Sequence, residues 1–131
     1  ARDAIECVNR GADAVYVSNH GGRQLDSVAG TAAVLPEIVD AVNGRAEVLI
    51  DGGVRRGEDV VKAKALGATA SLSGRPWFFA LAADGQAGVK RMLDIMQADI
   101  LRTLTLIGVP RYADVDRSAI RRGDARGRVD R

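Results

Sequence analysis

Val48-Leu49-Ile50-Asp51-Gly52-Gly53-Val54-Arg55-Arg56-Gly57 passes from a short apolar run through a glycine pair into two arginines and a new helical pattern. An apolar run bounded by turn residues suits a strand buried on both faces, and the glycine pair suits a sharp turn at its C-terminal end. Upstream, Val34, Leu35, Ile38, Val39 and Val42 recur at helical spacing and stop at Asn43-Gly44. Downstream, Val60, Val61, Ala65 and Leu66 do the same and stop at Gly67. The phrase helix, strand, glycine loop occurs three times. In the first instance Ile5 and Val8 lie on a helix stopped at Gly11, followed by a strand near Ala14 to Ser18. In the third, Ala70-Ser71-Leu72-Ser73 leads into Gly74-Arg75-Pro76. A short helical piece from Trp77 to Ala83 follows, then a longer helix from about Gln86 to Ile107. Val89, Leu93, Met96, Ile100, Leu104 and Ile107 form the apolar stripe of that helix, and Gly108 and Pro110 stop it.

Strands separated by helices indicate a parallel sheet with each loop at a strand's C-terminal end. Three strands alone would leave two open edges and much apolar surface uncovered. An eight-unit barrel takes about 250 residues. The expected fold class is therefore α/β, the C-terminal portion of a TIM (β/α)8 barrel: about three βα units plus a closing helix. A complete small doubly wound domain is the structural rival, with an unusually low strand count. Residues 1–110 form the barrel portion in this reading, and residues 111–131 an Arg-rich, disordered tail. That tail holds seven arginines and four aspartates, net +3, which leaves −1 for residues 1–110 of a chain whose net charge is +2. Its charges alternate in sign and no aromatic follows Tyr112, so no nucleic-acid partner is expected.

With 131 residues, 47% of them hydrophobic and 27% charged, the composition is that of one globular domain. No apolar stretch approaches the roughly 20 residues of a spanning helix, and no signal-peptide pattern opens the chain. It begins at Ala1 inside a helical pattern, which reads as a fragment or a processed product. The single cysteine, Cys7, rules out an internal disulfide and fits a reducing compartment; with no base nearby, it reads as a buried helix residue. The localisation this favours is cytoplasmic, with membrane association in a full-length parent as the other option.

Chemistry concentrates in Ser18-Asn19-His20-Gly21-Gly22-Arg23-Gln24-Leu25-Asp26, directly after the first strand. Imidazole is suited to taking a proton near neutral pH, and a guanidinium fork holds a carboxylate through two parallel hydrogen bonds. His20 is thus a candidate base and Arg23 a candidate carboxylate clamp for a small anionic substrate; the plainer alternative makes His20 a turn residue. The loops after the last two strands carry glycine and arginine together: Asp51, Gly52, Gly53, Val54 and Arg55 in one, Gly74 and Arg75 in the other. Glycine lets backbone N–H groups approach an anion, and a helix start adds partial positive charge. Barrels of this type often bind phosphate there. Asp51, beside such a site, reads as an acceptor for a polyol chain such as the ribityl of a flavin mononucleotide, or else as a helix cap or a salt-bridge partner of Arg55 or Arg75. Glu58 and Asp59 suit the positive end of the following helix. No metal site is expected.

These motifs, with Ala65-Leu66-Gly67-Ala68 and with Gly74-Arg75-Pro76 running into Ala80-Leu81-Ala82, make residues 1 to about 110 resemble the C-terminal part of the FMN-dependent 2-hydroxy-acid dehydrogenases and oxidases, the family of glycolate oxidase, L-lactate dehydrogenase and mandelate dehydrogenase. The resemblance implies oxidation of an L-2-hydroxy acid to a 2-oxo acid. His20 would be the base, Arg23 the carboxylate clamp and Ser18 a neighbour of the flavin ring. Asp51, Gly52, Gly53, Val54, Arg55, Gly74 and Arg75 would hold the ribityl and phosphate of FMN. Both the carbanion and the hydride route stay open, as do oxygen, a quinone or a cytochrome as acceptor. The parent is expected to be a homo-oligomer. Lys64, Ser73 and Asp84 depart from the family's usual residues. The resemblance also implies a flavin-side lysine, substrate-side tyrosines, a second arginine and an aspartate orienting the histidine, all from an N-terminal part. The fragment alone is therefore expected to be inactive. Two alternatives stand beside this reading: another FMN barrel such as the flavin-type isopentenyl-diphosphate isomerase, which shares the anion loops, and a non-catalytic phosphate-binding half-barrel remnant.

Overall fold

The computed structural model describes residues 1–121. In chain order it contains helix α1 (Arg2–Asn9), strand β1 (Ala14–Val17), a 3-10 turn (His20–Gly22), helix α2 (Thr31–Val42), strand β2 (Glu47–Ile50), helix α3 (Gly57–Ala65), strand β3 (Ala70–Ser71) and helix α4 (Arg75–Ile107). Two further 3-10 turns, Tyr112–Asp114 and Arg117–Ala119, close the described chain. Asn43 ends α2 in the left-handed conformation at φ 49°, as the stop read at Asn43-Gly44 requires. The break read between two helical pieces is present inside α4, where Asp84 (φ −153°) and Gly85 (φ 53°) leave helical geometry.

The three strands are parallel and stand in the order β1-β2-β3. Val17 aligns with Ile50, and Ile50 with Ser71. Period-two alternation sends Val17, Val48 and Ile50 to one face, where they are buried with Ala4 of α1, Leu35 and Val42 of α2, and Ala63 of α3. The opposite face is bare: Tyr16 is 48% and Leu72 40% exposed. A doubly wound sheet carries helices on both faces and reverses direction at a switch point, whereas a barrel wall steps steadily round with helices outside only. The sheet here follows the second pattern. β3 is shorter than the Ala70–Ser73 run in the sequence; the Leu72 N–H still donates to Ile50 O at 2.8 Å, and the Ser73 hydroxyl donates to Val54 O.

A second core joins α3 to α4 and to the end of the described chain: Val61, Ala65, Leu104 and Val115 are buried together, with Tyr112, Ala119 and Ile120 packed against them. This corrects the expectation of a disordered tail from residue 111. Arg111 pairs with Asp114 through two 2.8 Å bonds, and Arg117 reaches Asp40 of α2 at 2.6 Å. Arg111 and Asp114 neutralise each other locally, Arg117 is neutralised by Asp40, and the apolar residues between them supply the anchor. The remaining residues of the expected tail, 122–131, lie outside the described residues. Cys7 is also corrected. It is exposed, lining a groove along the outer edge of β1 with Ala14, Val15 and Val17, because α1 covers that edge rather than the sheet's centre. Lys64 is half-buried in the last turn of α3, where a cation suits the helix's negative end. No described helix is long and apolar enough to cross a membrane.

Candidate functional site

Beyond β1 the backbone enters three successive left-handed residues, His20 (φ 52°), Gly21 (φ 67°) and Gly22 (φ 77°). A non-glycine residue in that region costs about 1–3 kcal/mol and persists only where its surroundings fix it. Here the Ser18 hydroxyl accepts the His20 N–H at 3.2 Å, and Asn19 Oδ1 accepts the Gly21 N–H at 2.9 Å. Asn19 also donates through Nδ2 to Ala29 O at 3.4 Å, joining the two ends of the loop. Arg23 closes the turn, its N–H donating to His20 O at 3.3 Å.

Beyond β2, Gly52 and Gly53 take φ of 84° and 88°. Thr31, the buried first residue of α2, donates its hydroxyl to Asp51 O at 2.5 Å, with Gly52 O at 3.3 Å from the same oxygen. A Cβ on Gly52 would lie 2.7 Å from that oxygen, so close approach as well as positive φ demands glycine. The N–H groups of Arg55 and Arg56 both donate to Asp59 Oδ2 at 3.0 Å, which makes Asp59 the cap of α3. Ser73 donates to Val54 O at 3.0 Å and so ties the loop after β3 to the loop after β2.

These loops enclose a cleft of about 150 Å³ lined by His20, Asp51, Gly52, Gly53, Val54, Arg55, Gly74 and Arg75. The structure thus brings the histidine and both glycine-arginine loops to one mouth of the sheet. Ser18 and Arg23 do not line it. Both are exposed, Ser18 on the wall of the neighbouring apolar groove. Asp51 forms no ion pair with Arg55 or Arg75 among the described residues. Its Oδ2 instead accepts the Tyr16 hydroxyl at 2.7 Å, while its Oδ1 is buried without a partner. Desolvation, then the bond to Asp51 and its charge, push the Tyr16 phenol up to about 12, although the residue as a whole is half-exposed.

Arg55 and Arg75, which have no carboxylate partner among the described residues, the glycine turn and an orphaned carboxylate oxygen make a chemically coherent set. The arginines suit an anion and the orphaned oxygen suits a hydroxyl, which together match a phosphorylated polyol. The sequence reading missed four residues that build the site: Tyr16, Asn19, Thr31 and Ser73. Thr31 was open to discovery as a polar residue at a helix start, and Asn19 as an Asx turn ahead of glycine. The Tyr16 contact depends on strand register and has no sequence signal of its own.

The chain is 52% identical over 116 residues to an L-lactate oxidase of a Nostoc species, a match covering 88% of this chain and 32% of the relative. It is 50% identical over 119 residues to a peroxisomal (S)-2-hydroxyacid oxidase of Arabidopsis thaliana, covering 91% and 33%. It therefore spans about a third of the length of the curated relatives it matches. Among solved structures, a mandelate oxidase variant with a monooxide FMN adduct superposes with a TM-score of 0.79 at 46% identity, over 90% of this chain and 36% of that one. The fold is accordingly the C-terminal portion of a TIM barrel. The FMN-dependent dehydrogenase family matches residues 1–122, and the chain belongs to that family.

Proposed function

We propose that this chain forms the phosphate-binding and proton-accepting side of an enzyme that oxidises an L-2-hydroxy acid to a 2-oxo acid with FMN. The observation that carries the reading is the single cleft joining His20 to the Asp51–Arg55 loop and to Gly74 and Arg75. Arg55 and Arg75 hold the phosphate beside the glycine turn, and Asp51 receives a ribityl hydroxyl. Bound there, the flavin supplies the electron chemistry as a two-electron acceptor. Arg23 leaves the same turn as His20, which suits it to hold the substrate carboxylate while the His20 imidazole takes the proton released on oxidation. Ser18 orders the turn through the His20 N–H and stands on the flavin-ring side. Oxygen, a quinone and a cytochrome all stay open as the reoxidant, and the parent enzyme is read as a homo-oligomer.

Titrating the chain with FMN and with riboflavin isolates the phosphate's contribution. FMN is expected to bind more tightly, and Arg75→Ala or Arg55→Ala to cost FMN about tenfold in affinity, the scale of a charge-assisted hydrogen bond, with riboflavin unchanged. Equal affinity of the unaltered chain for the two flavins would refute the cradle. In a chain of the relatives' length, His20→Ala is expected to lower hydroxy-acid oxidation by about 100-fold or more with FMN retained.

A further inference from the structure

Tyr16 is an aromatic residue on the bare face of the sheet, outside both cores buried among the described residues. It stands opposite Leu49 in the β1–β2 ladder. Asp51, two residues beyond Leu49, is its diagonal neighbour on the same face, a distance that a long aromatic side chain spans. The phenol spans it, donating to Asp51 Oδ2 at 2.7 Å. Asp51 is therefore held unsymmetrically, with one oxygen satisfied and the other, Oδ1, buried and unpartnered. A buried acceptor left without a hydrogen bond costs about 1–3 kcal/mol, which a donor arriving at Oδ1 recovers.

We propose that Tyr16 is a positioning residue for the polyol chain of the cofactor: its hydroxyl occupies Oδ2 of Asp51, which leaves Oδ1 as the one directed acceptor for a ligand hydroxyl. The inference rests on the FMN reading above and assigns a role to a residue that this reading does not use. Without the phenol the carboxylate is free to turn about its last torsion, exchanging its two oxygens. The same hydroxyl then meets an acceptor that it must first orient.

The test is titration of the chain with riboflavin, which has the ribityl chain, and with lumiflavin, which lacks it, followed by amide chemical shifts so that weak binding is read. Tyr16→Phe removes one oxygen from a half-exposed ring, and a cooperative melt of the variant confirms that it folds. It should weaken riboflavin about tenfold and lumiflavin not at all. In an Asp51→Asn background the same substitution should have no further effect on riboflavin. Tyr16→Phe that binds riboflavin as the unaltered chain does would overturn the positioning role and leave the FMN reading standing. An unaltered chain that binds riboflavin and FMN no better than lumiflavin would overturn the FMN reading itself, and this inference with it. A Tyr16→Phe loss that persists in the Asp51→Asn background would show that the phenol acts on the ligand directly, and would overturn the role assigned here.

Discussion

His20 occupies a backbone conformation that its side chain disfavours, and two neighbouring side chains hold it there through N–H groups rather than through the imidazole. The ring itself forms no hydrogen bond among the described residues, so it stays available to the cleft. Tyr16 shows the reverse arrangement, a side chain spent on its neighbour. Its phenol is pushed from 10.0 to about 12, by desolvation first and Asp51 second. The unfolded chain loses this proton as pH passes 10 while the folded chain keeps it. The stabilisation is therefore complete below pH 10 and is lost as pH rises through about 12. Absorbance at 295 nm is expected to show little tyrosinate at pH 10, since burial raises Tyr112 as well; Asp51→Asn should bring one of the two transitions down. Cys7 marks where residue-level reading failed: helical spacing locates a face, but whether that face meets a core depends on what stands beyond the sheet edge.

Between elements, the crossing of α3 with α4 depends on Gly57. A Cβ there would meet the Met96 carbonyl oxygen and lie 2.6 Å from Asp99 Cβ. Gly57→Ala is expected to cost about 1–3 kcal/mol by overpacking, read as a lower midpoint in urea; an unchanged midpoint would show that the helices slide freely. Ser73 links the two glycine-arginine loops across the mouth of the sheet. Ser73→Ala should speed amide exchange in residues 53–56 and lower FMN affinity, and Ser73→Thr should restore both. The helices and strands were legible because each helix has a continuous apolar stripe and a glycine stop. The bonds between loops were not, because Thr31 and Asp51 meet only after α2 has docked on β2. Residues 111–121 of the final segment were misread on charge and on the lack of aromatics. Its arginines suggest solvent, yet Val115 is buried at 4% exposure, and one apolar residue in such a segment outweighs several paired surface charges.

Taken whole, the molecule has one covered and one bare sheet face, and Trp77, Phe78 and Phe79 are 44%, 59% and 65% exposed. The chain spans about a third of its relatives' length, and among the described residues His20 and the anion loops line one open cleft. Purified chain supplemented with FMN and L-lactate is expected to reduce no dye above the rate of free flavin; sustained turnover would contradict this. The sequence carried the architecture through its triple repetition, since a repeated unit fixes its own neighbours. The sequential strand order has a further consequence for biosynthesis. Ala14 pairs with Glu47, and Leu49 with Ala70, so every rung among the described residues joins positions a few tens apart. The polypeptide can settle unit by unit as it leaves the ribosome, each newly emerged strand finding its predecessor already in place.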